Sequence, residues 1–309
     1  MPPPGQRDDS IGIRIHQPPA AEKMSDEVVS NRTPQNTVTY VFSSYIAGCW
    51  RRVMVQWCKT IVSHSLEIMF NSAQGEMVCS CKIDLKPWLF WIKKGSKTVD
   101  LEGSLVEIYW DLRAAKFSSS PEPLSDYYVA IVSDEEVAMA LGDGKRKAYK
   151  RTNARPALLD PLLHHKKEFV CGKKCFTTRA KFEDTKNDCD IVVESSTSGP
   201  KDPEMWISID GVVVVHVKNL RWKFRGNQTA VMNRQQLQIF WDVHDWLFND
   251  SGIGHGLFIF KPGAPEESDK EDSCLATDGD NSEVSRYASA KSTSSPAEFC
   301  LFLHAWKMS

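Results

Sequence analysis

The chain has 309 residues, 41% of them hydrophobic, and its 38 Lys and Arg nearly balance its 40 Asp and Glu, for a net charge of −2. Ten Trp and fourteen Phe are ample for a packed core, and the charge balance argues against a generic polyanion binder while leaving local patches open. The length has room for two domains or one large duplicated one. No run approaches the ~20 apolar residues of a membrane helix. The N-terminus has no apolar stretch of signal-peptide length, which predicts a soluble protein of the cytosol or nucleus.

Residues 1–36 are rich in Pro, Asp, Glu, Ser and Asn and are expected to be disordered. From Val38 the pattern changes to short alternating or β-branched runs: VTYVFSSY, RRVMVQWC, SLEIMF, MVCSCKIDL, LFWIKK, KTVDLE and LVEIYWDL. YYVAIV and EVAMALG then read as a hairpin turning at Ser133–Glu136. Residues 144–166 form the one convincing helical stretch, with Ala157, Leu158, Leu159, Leu162 and Leu163 expected to seat one face and Pro156 and Pro161 limiting each helix to a turn or two. A second set of β runs follows, including CDIVVES, EMWISIDG, VVVVHVKNL and LQIFWDVHDW. It closes on GLFIFK and FCLFLHAW, two strands separated by an acidic, Ser-rich loop at about 262–297 that is also expected to be disordered.

Two segments repeat at a constant offset of 131 positions. Trp91/Trp222, Gly95/Gly226, Thr98/Thr229, Ile108/Ile239, Trp110/Trp241, Asp111/Asp242 and Phe117/Phe248 coincide, seven identities in 27 positions where ordinary residue usage gives about two. The expected fold is therefore all-β. Two related β-sandwich or barrel-like units, 37–143 and 167–309, arise from an internal duplication and are joined by a short, basic helical connector at 144–166.

The segments KPWLFWIKKGSK (86–97), SDYYVAIVSDEEVAMALGD (125–143), KRTNARPALL (150–159) and GKKCFTTRAKF (172–182) resemble a plant family. So do PEMWISIDG (203–211), LRWKFRGN (220–227) and FWDVHDWLF (240–248). The family is known only as domain of unknown function 868. The likeness covers about residues 36–261 and resumes in the final strand. It implies a plant protein and supplies no reaction, ligand or catalytic residue.

Four groups of residues are candidates for chemistry. Lys145, Arg146, Lys147, Lys150, Arg151 and Arg155 on the connector form a basic patch suited to phosphates of nucleic acid or of an anionic lipid, and Lys166, Lys167, Lys173 and Lys174 extend it. A solvated helix face explains the same pattern. Asp242, His244 and Asp245 form a possible acid–base or metal cluster, because His244 and Asp245 stand where the first copy has Arg113 and Ala114. The paired Trp-Asp dipeptides themselves read as a repeated strand end. His164 and His165 are a further imidazole pair. Trp88, Phe90 and Trp91 with Trp222 and Phe224 are an aromatic set suited to core packing or to an apolar ligand, with Trp88, Trp91 and Trp222 as the ligand-binding candidates.

Nine cysteines show no zinc-finger spacing, so reduced structural thiols are expected and neither a metal nor a cofactor is called for. Gly252, Gly254 and Gly256 lack the context of a phosphate loop and read as a turn. Ser268 and Thr277 sit in acidic contexts that suit phosphorylation. The leading expectation is a non-enzymatic scaffold engaging a protein partner. A carrier or peripheral binder of a lipid-like ligand comes second, and a hydrolase-type enzyme centred on Asp242 and His244 last.

Overall fold

The computed structural model describes residues 36–72, 74–86, 93–172, 174–182, 188–196, 202–232, 235–249, 253–263 and 299–308. Trp88, Phe90, Trp91, Lys173, Ser268, Thr277 and the segments 1–35 and 264–298 lie outside them.

Alternation of buried and more exposed side chains, broken in β1 at Val41 and Phe42, makes the first four runs a meander: β1 (Asn36–Ile46), β2 (Cys49–Lys59), β3 (His64–Asn71) and β4 (Met77–Leu85). Next come β5 (Lys94–Leu101), β6 (Ser104–Asp111), the short pair β7 (Lys116–Phe117) and β8 (Pro123–Ser125), then β9 (Tyr128–Ser133) and β10 (Glu136–Leu141). Asp134 and Glu135 both take positive φ, 53° and 61°, the two-residue turn that matches the twist of the β9–β10 hairpin. The connector holds α1 (Lys145–Thr152) and the two-residue β11 (Arg155–Pro156), and β12 (Leu162–Gly172) follows. A second meander comprises β13 (Cys175–Ala180), β14 (Cys189–Ser196), β15 (Glu204–Ile209) and β16 (Val212–Val217). The chain ends with β17 (Arg225–Met232), β18 (Gln235–Asp242), α2 (His244–Phe248), β19 (Ile253–Pro262) and β20 (Cys300–Met308).

These strands build one long sheet and two smaller ones. The long sheet has nine strands in the order β17-β18-β19-β20-β12-β1-β2-β3-β4. A five-stranded sheet, β11-β10-β9-β6-β5, packs on its β1–β4 end around Val55, Trp57, Ile68, Phe70, Ile108 and Ile131. A four-stranded sheet, β13-β14-β15-β16, packs on its β17–β20 end around Ile191, Ile207, Ile239, Phe258, Phe260 and Leu301. Residue register carries both cores to the same side of the long sheet, because Lys166 on β12 lies opposite Tyr40 of β1 and opposite Leu301 of β20. The result is two sandwich-like halves that share a sheet through the backbone hydrogen bonds of β12. α1 covers the far side of the five-stranded sheet, with Ala148 buried against Tyr128, Ala130 and Val132, so β9 is buried on both faces.

The repeated Gly–Trp pair makes the same contact in both halves. Gly95 lies opposite Trp110 across β5–β6, and Gly226 opposite Trp241 across β17–β18. A Cβ on Gly95 would stand 2.7 Å from the Trp110 ring, and one on Gly226 would collide with the Trp241 ring. The indole therefore lies across a glycine in each hairpin. Gly226→Ala should cost about 1–3 kcal/mol, as overpacking of a filled site does. The urea midpoint measures this, and an unchanged midpoint would overturn the tight approach.

Three local readings change. The helix in the connector ends at Thr152; Leu158 is 94% exposed, Leu159 and Leu162 are also exposed, and Leu162–Lys166 belong to β12, so residues 157–163 seat no helix face. Pro156 and Pro161 limit the helix further than expected. Gly254 and Gly256 lie in β19, not in a turn, and let α2 sit directly on the strand: a Cβ on Gly256 would be 2.8 Å from Trp246, and one on Gly254 would strike the Asp245 carbonyl. The run read as LQIFWDVHDW leaves the strand at Asp242 and turns into α2.

Candidate functional site

β12 positions the site because it sits at the centre of the long sheet and alternates two chemistries. Its inward side chains include Lys166 and Glu168; its outward ones are His165, Lys167, Phe169 and Cys171. The outward face continues across the neighbours. β20 adds Phe302, His304 and Trp306, β19 adds His255, Leu257, Ile259 and Lys261, and β18 adds Gln238 and Phe240. On the other side β1 adds Thr39, Val41, Ser43 and Tyr45, paired with Gln56, Met54, Arg52 and Trp50 of β2.

The outward rings contact one another. Phe169 stacks on His304 with centroids 4.6 Å apart, His165 meets Phe302 edge-on at 5.7 Å, and His255 lies 4.9 Å from Trp306. Lysines lie over two of the rings: Lys167 is 4.8 Å from the Phe169 centroid and Lys261 5.6 Å from that of Phe240. Burial, the neighbouring Lys167 and His255 push His304 down to about 4, so it is neutral at pH 7. His165 is lowered too, by burial and then by His164, Arg52 and Lys167. Across the six adjacent strands β18, β19, β20, β12, β1 and β2, Asp242 at the border is the sole outward carboxylate among the described residues. No described element packs over this face.

Beneath it, on the inward side, is a buried ionic cluster between the two cores. Lys166 Nζ donates to Glu168 Oε1 at 2.6 Å, to Glu122 Oε1 at 3.0 Å and to the Arg179 carbonyl at 2.7 Å, using all three protons. The Tyr40 hydroxyl donates to the second oxygen of Glu122, and the Lys166 ammonium lies 5.2 Å from the Tyr40 ring centroid. Burial raises the Glu168 carboxyl above its ordinary range despite Lys166. Burial alone would lower Lys166, but Glu168 and Glu122 outweigh it and raise it, so its charge is held. The cluster borders a cleft of about 240 Å³ that Leu163 and Phe299 also line. Lys166 is thus part of the interior and does not extend the connector's basic surface.

The sequence-predicted residues are dispersed. Lys145, Arg146, Lys147, Lys150, Arg151 and Arg155 are all exposed, on or just after α1, and Arg155 pairs with Glu136 at 3.0 Å. Lys147 borders a cleft of about 360 Å³ with Asp111, Arg113 and Asp126. Arg113 bonds both oxygens of Asp111 (3.0 and 2.8 Å), and Lys116 holds Asp126 at 2.9 Å. Arg113 thereby keeps the Asp111 carboxyl below its usual range.

Asp242 accepts the His244 N–H at 3.1 Å, as Asp111 accepts that of Arg113 at 3.3 Å, and each hydrogen bond ends a strand. Arg225 holds Asp242 at 2.7 Å. His244 lies 3.2 Å and His255 3.3 Å from Asp245, on a partly exposed corner that borders neither cleft. Among the described residues no group of three His, Cys, Asp or Glu is placed to hold a metal. His164 bonds Ser43 at 2.6 Å where the β1–β12 register shifts. Trp222 is 87% exposed and borders neither cleft. Cys49, Cys58, Cys79, Cys81, Cys171, Cys175 and Cys300 are free thiols.

The fold and this face define an all-β protein of two sandwich-like halves with one open sheet surface. The chain belongs to the family described as plant protein of unknown function (DUF868), whose model matches residues 33–307. No curated protein and no solved structure matches it. Among the described residues no helix is long and apolar enough to cross a membrane.

Proposed function

We propose that the chain is a non-enzymatic binding protein whose working surface is the outer face of the nine-stranded sheet. One observation carries this reading: six adjacent strands present aromatic, aliphatic and cationic side chains with carboxylates only at the borders, Asp242, Asp245 and Glu67, and no described element covers them. A carrier calls for a closed apolar cavity of roughly a few hundred Å³. The two clefts instead have charged linings, which weighs against that reading. An enzyme centred on Asp242, His244 and Asp245 calls for a cleft with groups from distant parts of the chain. Here Asp242 is already engaged by Arg225 and the His244 backbone. The connector patch remains a second, separate anion surface, on the opposite side of the first half. Internal duplication is our proposal for the paired Gly–Trp hairpins.

Photo-crosslinking amino acids placed at Gln238 or Gln56 on the face, and at exposed Thr177 on β13 as reference, test the proposal in plant extract. Macromolecular adducts are expected from the face positions and not from Thr177. No adduct from either face position would overturn the reading.

A further inference from the structure

We infer that the outer face of the nine-stranded sheet is a platform for single-stranded nucleic acid. The inference rests on the face being the working surface and adds the chemical class of its partner. Unpaired bases bind proteins by stacking on aromatic rings while cations neutralise the phosphates between them. The face has both parts in register. Phe169 stands on β12, Phe302 and Trp306 on β20 and Phe240 on β18, and the exposed pair Tyr45–Trp50, 6.0 Å apart, extends the series at the β1–β2 end. Lys167, Lys261 and Arg52 lie among them.

The pattern of charge separates this from a generic sticky surface. The three cations lie within the six strands, whereas the carboxylates Asp242, Asp245 and Glu67 stand at the borders of the face. A polyanion meets a complementary field. Burial first, and then neighbouring cations and imidazoles, lower His165 and His304 and keep both rings neutral. Their neutral rings also stack without charge repulsion. Gln238 and Thr39, with Gln56 bonded to Thr39 at 3.2 Å, supply amide and hydroxyl groups that suit base edges without fixing one sequence. Six strands at the usual spacing span about 24 Å, room for roughly four or five nucleotides. A duplex keeps its bases stacked on each other and offers the rings nothing to receive them. The overall charge of −2 is no obstacle, because a phosphate responds to the charges beside it, here Lys167, Lys261 and Arg52, and not to the chain's total.

The test is fluorescence anisotropy of the full chain with labelled 12-nucleotide single-stranded RNA and DNA of mixed sequence, with a duplex of equal length as control, at two KCl concentrations. Binding to single strands is expected, with log K falling against log salt at a slope of about −2 for three phosphate contacts. Phe302→Leu, which keeps apolar volume and removes the ring, and Trp306→Ala should each weaken binding by about tenfold. Lys167→Ala should flatten the salt slope by about 0.7. Simultaneous Lys145→Ala, Lys147→Ala and Lys150→Ala on α1 should leave affinity unchanged. Unfolding midpoints confirm that each variant is folded.

Absence of salt-sensitive binding would overturn the inference. So would binding that survives Phe302→Leu and Trp306→Ala but is lost with the α1 variants. The crosslinks at Gln238 and Gln56 distinguish the two levels. Protease-sensitive, nuclease-resistant adducts there would retain the working face and assign it a protein partner, refuting the nucleic-acid inference alone.

Discussion

Replacing Lys166 by Met should destabilise the fold by about 3–5 kcal/mol, a large share of a typical ~5–15 kcal/mol total. Lys166 is 3% exposed and is the cation shared by Glu168 and Glu122, whose side chains are 4% and 17% exposed. Removing it leaves two carboxylates facing each other with one tyrosine hydroxyl and no countercharge. The cost belongs to those stranded acids and not to the worth of the bridge, which suggests a second measurement. Lys166→Met combined with Glu168→Leu and Glu122→Leu should recover most of the loss, because a packed apolar replacement avoids the desolvation. Urea unfolding of the four proteins checks both parts. Glu168 adds a pH signature. Its folded pKa is raised, so the stability it contributes is complete below the ordinary carboxyl range and declines as pH rises through the interval up to its folded value. Glu168→Gln cannot titrate, so the stability difference between it and the parent should move in the variant's favour as pH rises across that interval. A constant difference would show that Glu168 is ionised throughout.

Much of the fold was legible because strand periodicity is local. VMVQWC, SLEIMF and DIVVES announce one buried and one exposed face, and each is a strand with that alternation. The Gly–Trp–Asp pattern was legible as a repeated element, and its contacts are the same in both halves. Its last identity was not structural: Phe117 lies in β7 and Phe248 in α2. The shared long sheet was not legible, since the β1–β12 and β12–β20 pairings join residues more than 100 positions apart and no local pattern encodes which edge meets which.

The candidate face was hidden for a related reason. LLHHKKEFVCG reads as basic and was assigned in part to the connector. Its alternation, with His165, Lys167 and Phe169 on one side and Lys166 and Glu168 on the other, has meaning only once the run is a strand. The signal was therefore present in Lys166 and Glu168 at a period of two. Glu122 and Tyr40 had no signal, being 44 and 126 positions from Lys166. The face also draws on strands from both ends of the chain, so its lack of carboxylates appears only when β18, β19, β20, β12, β1 and β2 are set side by side. The exposed residues singled out for chemistry, Asp242, His244 and Asp245, were conspicuous because they interrupt a strand pattern, and ending that strand accounts for the Asp242–His244 hydrogen bond.

Trp246→Ala should cost about 3–5 kcal/mol while sparing the outer face. Trp246 is 6% exposed, stacks on Phe176 at 5.3 Å, meets Phe258 at a tilt at 5.5 Å, and donates its indole N–H to the Ala305 carbonyl at 2.9 Å. Truncation empties an aromatic-sized volume where Gly254 and Gly256 leave no side chain to fill it, and it strands a carbonyl of β20. α2 has only five residues and Trp246 as its buried side chain, so its hold on β19 depends on this ring. Phe248→Ala on the same helix removes a 46% exposed ring and should change stability by less than about 1 kcal/mol, which separates loss of the anchor from loss of any aromatic. Ala305 and Phe258 point inward whereas His304, Trp306 and Phe302 point outward, so Trp246 acts on the side of β20 opposite the platform. A folded Trp246→Ala variant, assayed below its lowered unfolding midpoint, should therefore bind single strands with nearly the parent's affinity. Loss of binding without loss of fold would instead place α2 in the binding surface, and would bring His244 and Asp245 back into it.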